Sequence, residues 1–171
     1  QHIAEKVAGA VRQHTPPTTP LNRPLRVGFV SADFRTHAVT YFLDPLLVSL
    51  KTQQFELFAY SNSPQTDSMT AQIRSHVTGW CEVFGLSDAA MAARIVADGI
   101  DILLDLSGHT AGNRLAVFAM RPAPVQVTWL GYPATTGVPA ASASATTLPK
   151  LSMCEQSHRT SASPSSRAAI S

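Results

Sequence analysis

The sequence carries little charge. Asp, Glu, Lys and Arg make up 14% of the 171 residues, and 13 basic against 11 acidic side chains leave a formal net charge of +2. So small a balance gives no electrostatic drive toward nucleic acid or an anionic membrane. Long hydrophobic runs are also missing, and no stretch approaches the roughly 20 apolar residues that span a bilayer. The N-terminus lacks the basic-then-apolar order of a secretory signal. Cys81 and Cys154 are the only cysteines. They form no metal-ligand spacing, and so few point to reduced thiols in the cytoplasm. What the chain does have is a hydrophobic fraction of 44%, which suits one soluble domain of ordinary size with a real core. The first residue is Gln1 rather than Met, which suggests a fragment, although N-terminal processing or trimming would look the same.

Hydrophobic periodicity divides the chain into segments. Ile3, Val7, Ala10 and Val11 have helical spacing over QHIAEKVAGAVRQ. HTPPTTPLNRP then forbids helix and favours an extended linker, so residues 1–24 form a helix and a Pro-rich connection. LRVGFVS reads as a strand buried on both faces, and HAVTYFLDPLLVSLK as a helix in which Pro45 predicts a kink or a late start. FELFAYS is a second strand, MTAQIRSHV a helix and WCEVF a short strand. Ser87 suits the N-cap and Gly99 the C-cap of DAAMAARIVADG. IDILLDLSG is the clearest buried strand, followed by a helix at NRLAVFAMR and a strand at VQVTWLG. Such alternation predicts an α/β domain, a doubly wound Rossmann-like parallel sheet over residues 25–137. From residue 138 to 171 the chain turns to Ser, Ala and Thr without an aromatic residue. That stretch cannot offset its ordering entropy and reads as a disordered tail.

In a parallel α/β sheet ligands bind beyond the carboxyl ends of the strands. Three loops lie there: SADFRTH, SGHTAGNR and YPATTG. The first two carry histidines ahead of a helix, His37 and His109. His37 falls at a helix N-terminus, whose dipole disfavours imidazolium and suits a neutral ring that accepts a proton or hydrogen bond. Asp33 and Arg35 can orient it; alternatively Asp33 caps the helix and His37 is an exposed polar residue. Gly108 and Gly112 bracket His109 and allow backbone to approach a ligand, and the N–H groups of Thr110 to Asn113 can hold an anion. The alternative is a tight glycine turn. The loop is neither a Walker loop nor a GxGxxG fingerprint. Arg114 and Arg121 can meet phosphate, though Arg121 also suits a helix C-terminus. RPAP is a structural connection, Trp129 suits core packing better than sugar stacking, and Tyr132 suits the lining of a cleft. Asp105 lies in a buried strand and requires a partner. A metal site from His37, His109 and an aspartate has no ligand spacing behind it, so no metal and no cofactor is expected.

LRVGFVSADFRTHAVTYFLDPLL, together with DGIDILLDLSGHTAGNRLAVFAMRPAPVQVTWLGYPATTG, closely resembles the protein O-GlcNAc transferase family, in particular its bacterial and Spindly-like branch. The resemblance runs from Leu25 to Gly137. It implies a GT-B glycosyltransferase of two catalytic lobes preceded by tetratricopeptide repeats, of which this chain is the N-terminal lobe. It implies transfer of a sugar from a nucleotide donor, UDP-GlcNAc or in some members GDP-fucose, to Ser or Thr of proteins, with inversion and without a metal. His37 matches the histidine of the DFxxH stretch, an active-site position considered for base or acceptor-positioning roles. His109 and Thr110 match a GHT/GYT loop bordering the cleft, where Tyr can replace His, so the resemblance does not require proton transfer there. Tyr132 and Pro133 match cleft-lining positions.

Two departures from that pattern stand out. No second lobe follows, and the sequence after GYPATTG breaks into Ala, Ser and Thr as a translated frameshift would. The expectation is therefore a cytoplasmic protein O-GlcNAc transferase fragment, inactive alone, whose partners are a nucleotide-sugar donor and acceptor proteins, with no nucleic acid or membrane. The rivals are an O-fucosyltransferase with a GDP donor, a non-catalytic Rossmann-like anion-binding module, and a fragment without function.

Overall fold

The computed structural model describes residues 22–53 and 55–130, together with the backbone of 143–144. The expected alternation is there. The strands are β1 (Arg26–Ser31), β2 (Glu56–Ser61), β3 (Gly79–Glu82), β4 (Ile102–Asp105), β5 (Val125–Thr128) and β6 (Ala143–Ser144). Between them run the helices α1 (Ala38–Thr52), α2 (Ser68–His76), α3 (Asp88–Ala97) and α4 (Leu115–Ala119). All pairings are parallel, in the order β3-β2-β1-β4-β5-β6. The chain winds outward from β1 to β3, returns to the other side of β1 as β4, and winds outward again. The order therefore reverses between β1 and β4, the switch point at whose carboxyl ends open α/β sheets bind their ligands.

Burial follows from the strand alternation. Val27 and Phe29 of β1 face one layer, with Val39, Leu43 and Leu47 of α1 and Ile73 of α2. Val30 faces the other, with Met91 and Ile95 of α3 and Val117 and Phe118 of α4. Helices thus cover both faces, as the near-continuous apolar strands require. Pro45 sits inside α1, which starts only at Ala38, after the His37 cap, and runs unbroken to Thr52. The Ser87 hydroxyl caps α3 by accepting from the Ala90 N–H. Asp98 is the C-cap, and Gly99 follows it at φ +64°.

Three boundaries differ from expectation. IDILLDLSG yields only the four-residue β4, because the Asp105 carboxylate takes the N–H groups of Ser107 and Gly108 and turns the chain. NRLAVFAMR yields the five-residue α4. In the stretch read as disordered, Ala143–Ser144 instead pairs with Val127 and Thr128 of β5. An open sheet edge offers backbone partners that composition does not register. The helix and most of the linker expected over residues 1–24, and the remainder of the tail, lie outside the described residues.

Candidate functional site

The site grows from the carboxyl ends of β1, β2 and β4. β1 ends at buried Ser31, whose hydroxyl accepts the Asp33 N–H at 2.9 Å. Phe34 then turns inward and packs on Trp80 with ring centroids 5.5 Å apart. This anchors the loop from inside and leaves Arg35, Thr36 and His37 toward the surface.

His37 itself is the N-cap of α1. Its Nδ1 accepts the Val39 N–H at 3.3 Å, while the Thr40 hydroxyl accepts the His37 N–H at 3.3 Å, a reciprocal box. Thr40 Oγ1 lies 2.7 Å from the carbonyls of both Arg35 and His37, which fixes the turn further. A ring nitrogen that accepts a backbone N–H carries no hydrogen, so neutral His37 bears its hydrogen on Nε2. The half-buried ring therefore offers Nε2–H to a ligand as a donor. Asp33 does not cap the helix, contrary to one expectation. Its carboxylate accepts from Arg35 Nη2 at 3.0 Å, because the loop folds back over two residues.

Asp67, which sequence reasoning missed and whose only local signal is its spacing from Thr70, joins this loop to the next. Its Oδ1 accepts the Thr70 N–H at 2.9 Å as the cap of α2. Its Oδ2 accepts the Thr36 N–H at 2.7 Å. The Thr36 bonds first, and the Thr70 bonds after them, hold the Asp67 carboxyl well below the usual carboxylate range.

The β4–α4 loop comes in from the other side. Asp105 is fully buried. It accepts from Ser107 N–H at 3.0 Å and Gly108 N–H at 3.0 Å, with the Thr128 hydroxyl at 3.5 Å. Burial raises its pKa, against the opposing pull of those amides and of the nearby His109. Asp105 thus holds the turn that lifts His109 and Thr110 to an exposed apex. The Thr110 N–H and hydroxyl both point back to the Ser107 carbonyl, at 3.1 and 2.7 Å. The Asn113 N–H is likewise taken, by the Thr110 carbonyl. With these amides spent inside the loop, the expected anion cradle over Thr110 to Asn113 is at best half free.

The two histidine loops touch. A Cβ on Gly112, whose φ is +75°, would stand 2.8 Å from the Ala32 Cβ. Asn62 Nδ2, from the end of β2, donates to the Gly112 carbonyl at 2.8 Å. Arg114 completes the junction. Nη1 donates to the Asp88 carboxylate and the Leu86 carbonyl, and Nη2 to Asn62 Oδ1 and the Val83 carbonyl. Arg114 therefore clamps strand-end loops together and is not available to meet phosphate. Arg121 follows the C-cap of α4 at φ 53°. Tyr132 and Pro133 lie outside the described residues, and Trp129 packs against the α1-side core as expected. Among the described residues no group of three or more His, Cys, Asp or Glu is placed to hold a metal ion. No helix among them is long and apolar enough to cross a membrane.

Comparison with known proteins points to one family. The glycosyl transferase family 41 profile matches residues 5–146. The chain is 41% identical over 121 residues to the probable UDP-N-acetylglucosamine–peptide N-acetylglucosaminyltransferase SPINDLY of Arabidopsis thaliana, covering 68% of this chain and 13% of that protein. It is 37% identical over 114 residues to the SEC protein of the same plant, covering 66% and 12%. Among solved structures, a mutant O-GlcNAc transferase of Thermobaculum terrenum superposes with a TM-score of 0.68 at 41% identity, over 81% of this chain and 28% of that one. The chain therefore spans about an eighth of the length of the curated relatives it matches, 13% for SPINDLY.

Proposed function

Because the chain belongs to glycosyl transferase family 41, we propose that it supplies the N-terminal GT-B lobe of a protein O-GlcNAc transferase. In this reading GlcNAc passes from UDP-GlcNAc to a Ser or Thr hydroxyl of a protein. The hydroxyl oxygen bonds to the anomeric carbon as the bond from that carbon to the diphosphate breaks. The electron pair leaves with UDP, and the hydroxyl proton passes to a base. No metal is assigned a part, and a second lobe supplies the cations that stabilise the leaving diphosphate.

The observation that carries the reading is the placement of His37. It caps α1 at the point where the strand order reverses, with Nδ1 committed to Val39 and Nε2–H left to donate. In that tautomer the ring holds a substrate oxygen in place rather than removing its proton, and its contribution is positioning. His109 and Thr110, on the adjoining loop, form the facing wall of the cleft, with Tyr132 and Pro133 assigned beside them from the family pattern.

A chimera tests this. Residues 22–130 replace their counterpart in the Thermobaculum terrenum O-GlcNAc transferase, and transfer to a Ser/Thr peptide is followed with UDP-GlcNAc and with GDP-fucose. The expected result is GlcNAc transfer that falls at least about tenfold with His37→Ala. A folded chimera that uses only GDP-fucose, or that is indifferent to His37, refutes the reading.

A further inference from the structure

One cavity beside the site has no role in the account above. It measures about 360 Å³ and is lined by Arg35, Gln65, Thr66 and Asp67, between the β1–α1 and β2–α2 loops. The Arg35 guanidinium donates once, to Asp33, and its Nε–H is buried without a partner. Its side chain is still 39% exposed, so N–H groups of the guanidinium face outward unpaired. Asp67 offers the cavity little, since its two oxygens already accept from Thr36 and Thr70.

The charge balance selects the ligand. Two carboxylates, Asp33 and Asp67, stand around one guanidinium, so the local formal charge is negative and a free anion is disfavoured. An uncharged acceptor of hydrogen bonds meets the Arg35 donors without that repulsion. Position selects its source. The cavity lies between the β1–α1 and β2–α2 loops, on the β2 side of β1, whereas the strand order reverses on the β4 side of β1. Neighbouring strands are about 4.8 Å apart, a step covered by one or two residues of extended polypeptide at about 3.3 Å each.

Resting on the function proposed above, we propose that this cavity is an acceptor subsite in which Arg35 donates to a backbone carbonyl of the polypeptide whose Ser or Thr lies at His37. Gln65 and Thr66 supply further neutral polar groups, and the site favours acceptors without acidic residues next to the modified position.

The test is a nitrogen-15 NMR titration of the whole 171-residue chain with an uncharged, glycine-flanked threonine peptide, following the Arg35 Nε–H signal assigned by its loss in Arg35→Lys. The expected result is a saturable shift of that signal. Arg35→Lys, which keeps the charge, should weaken binding about five- to tenfold, the value of one hydrogen bond. An aspartate-flanked peptide should bind more weakly, and Asp33→Asn should narrow that gap. UDP-GlcNAc alone should leave the signal in place. Movement with UDP-GlcNAc but not with peptide would assign the cavity to the donor's amide and overturn the proposal. Tighter binding of the acidic peptide would overturn it too. Peptide shifts at His37 without any at Arg35 would overturn the subsite and leave the transferase reading standing. A peptide that binds nowhere would count against both.

Discussion

Gly112→Ala tests directly whether the two histidine loops form one packed unit. The substitution meets two costs at once. An alanine held at φ +75° costs about 1–2 kcal/mol against glycine. Its Cβ would also stand 2.8 Å from the Ala32 Cβ, well inside the 3.5–4.0 Å of a favourable carbon contact. Neither atom is the far end of a flexible side chain, so backbone must move, and overpacking of this kind adds about 1 kcal/mol or more. Gly85 is the matched control. It has φ +82° with nothing within 4 Å of its would-be Cβ, so Gly85→Ala carries the backbone cost alone. Urea unfolding at constant m should place Gly112→Ala below Gly85→Ala by about 0.5 M in midpoint, taking m at about 2 kcal/mol/M. Amide shifts across residues 31–37 should accompany Gly112→Ala and be missing from Gly85→Ala. Equal midpoints and equal shift patterns would refute the contact between the loops.

Arg114→Ala removes four hydrogen bonds from a guanidinium only 15% exposed. A loss of about 3 kcal/mol follows, read by calorimetry as a melting temperature roughly 6–12 °C lower. An unchanged melting temperature would return Arg114 to the ligand-binding candidates. His37→Asn keeps an N-cap acceptor, whereas His37→Ala loses it at about 1 kcal/mol. Chemical unfolding should separate the two variants, while in the chimera both should lose activity; equal stability would remove His37 from the cap. Asp105 gives a signed pH effect. Its folded pKa is raised, chiefly by burial, so the folded state binds the proton more tightly than the unfolded one. Its stabilising contribution is complete below the unfolded value of about 3.9 and is lost as pH rises through the folded value. The stability of the wild type relative to Asp105→Asn should therefore fall as pH rises from about 4; a flat or rising difference would contradict the assignment.

Much of the layout was legible locally. Short β-branched runs announced β1 and β4, and the Ala- and Ile-bearing helical spacing behind Ser87 announced α3. The rule that ligands meet strand carboxyl ends singled out the loops of His37 and His109. Reading failed where a distant partner decided the outcome. The alternative reading in which Asp33 caps α1 failed because the ring of His37 takes the Val39 N–H. Arg114 looked like an anion ligand until Asp88 and Asn62, 26 and 52 residues away, took its donors. Asp67 offered only its spacing to Thr70, and nothing local showed that its second oxygen would hold Thr36.

By itself the sequence determined the α/β class, the parallel alternation and, through two specific stretches, the family. Those properties are written in nearest-neighbour patterns: apolar periodicity, caps, and prolines that end elements. Tertiary structure decided the rest, because it turns on pairings between residues far apart in the chain. Setting β4 beside β1 brought the loop at Gly112 against the loop at Ala32. It also made one arginine a clamp and left Arg35 with donors to spare. Whether a charged side chain binds a ligand or the protein depends on which partner reaches it, and only the folded backbone sets those distances.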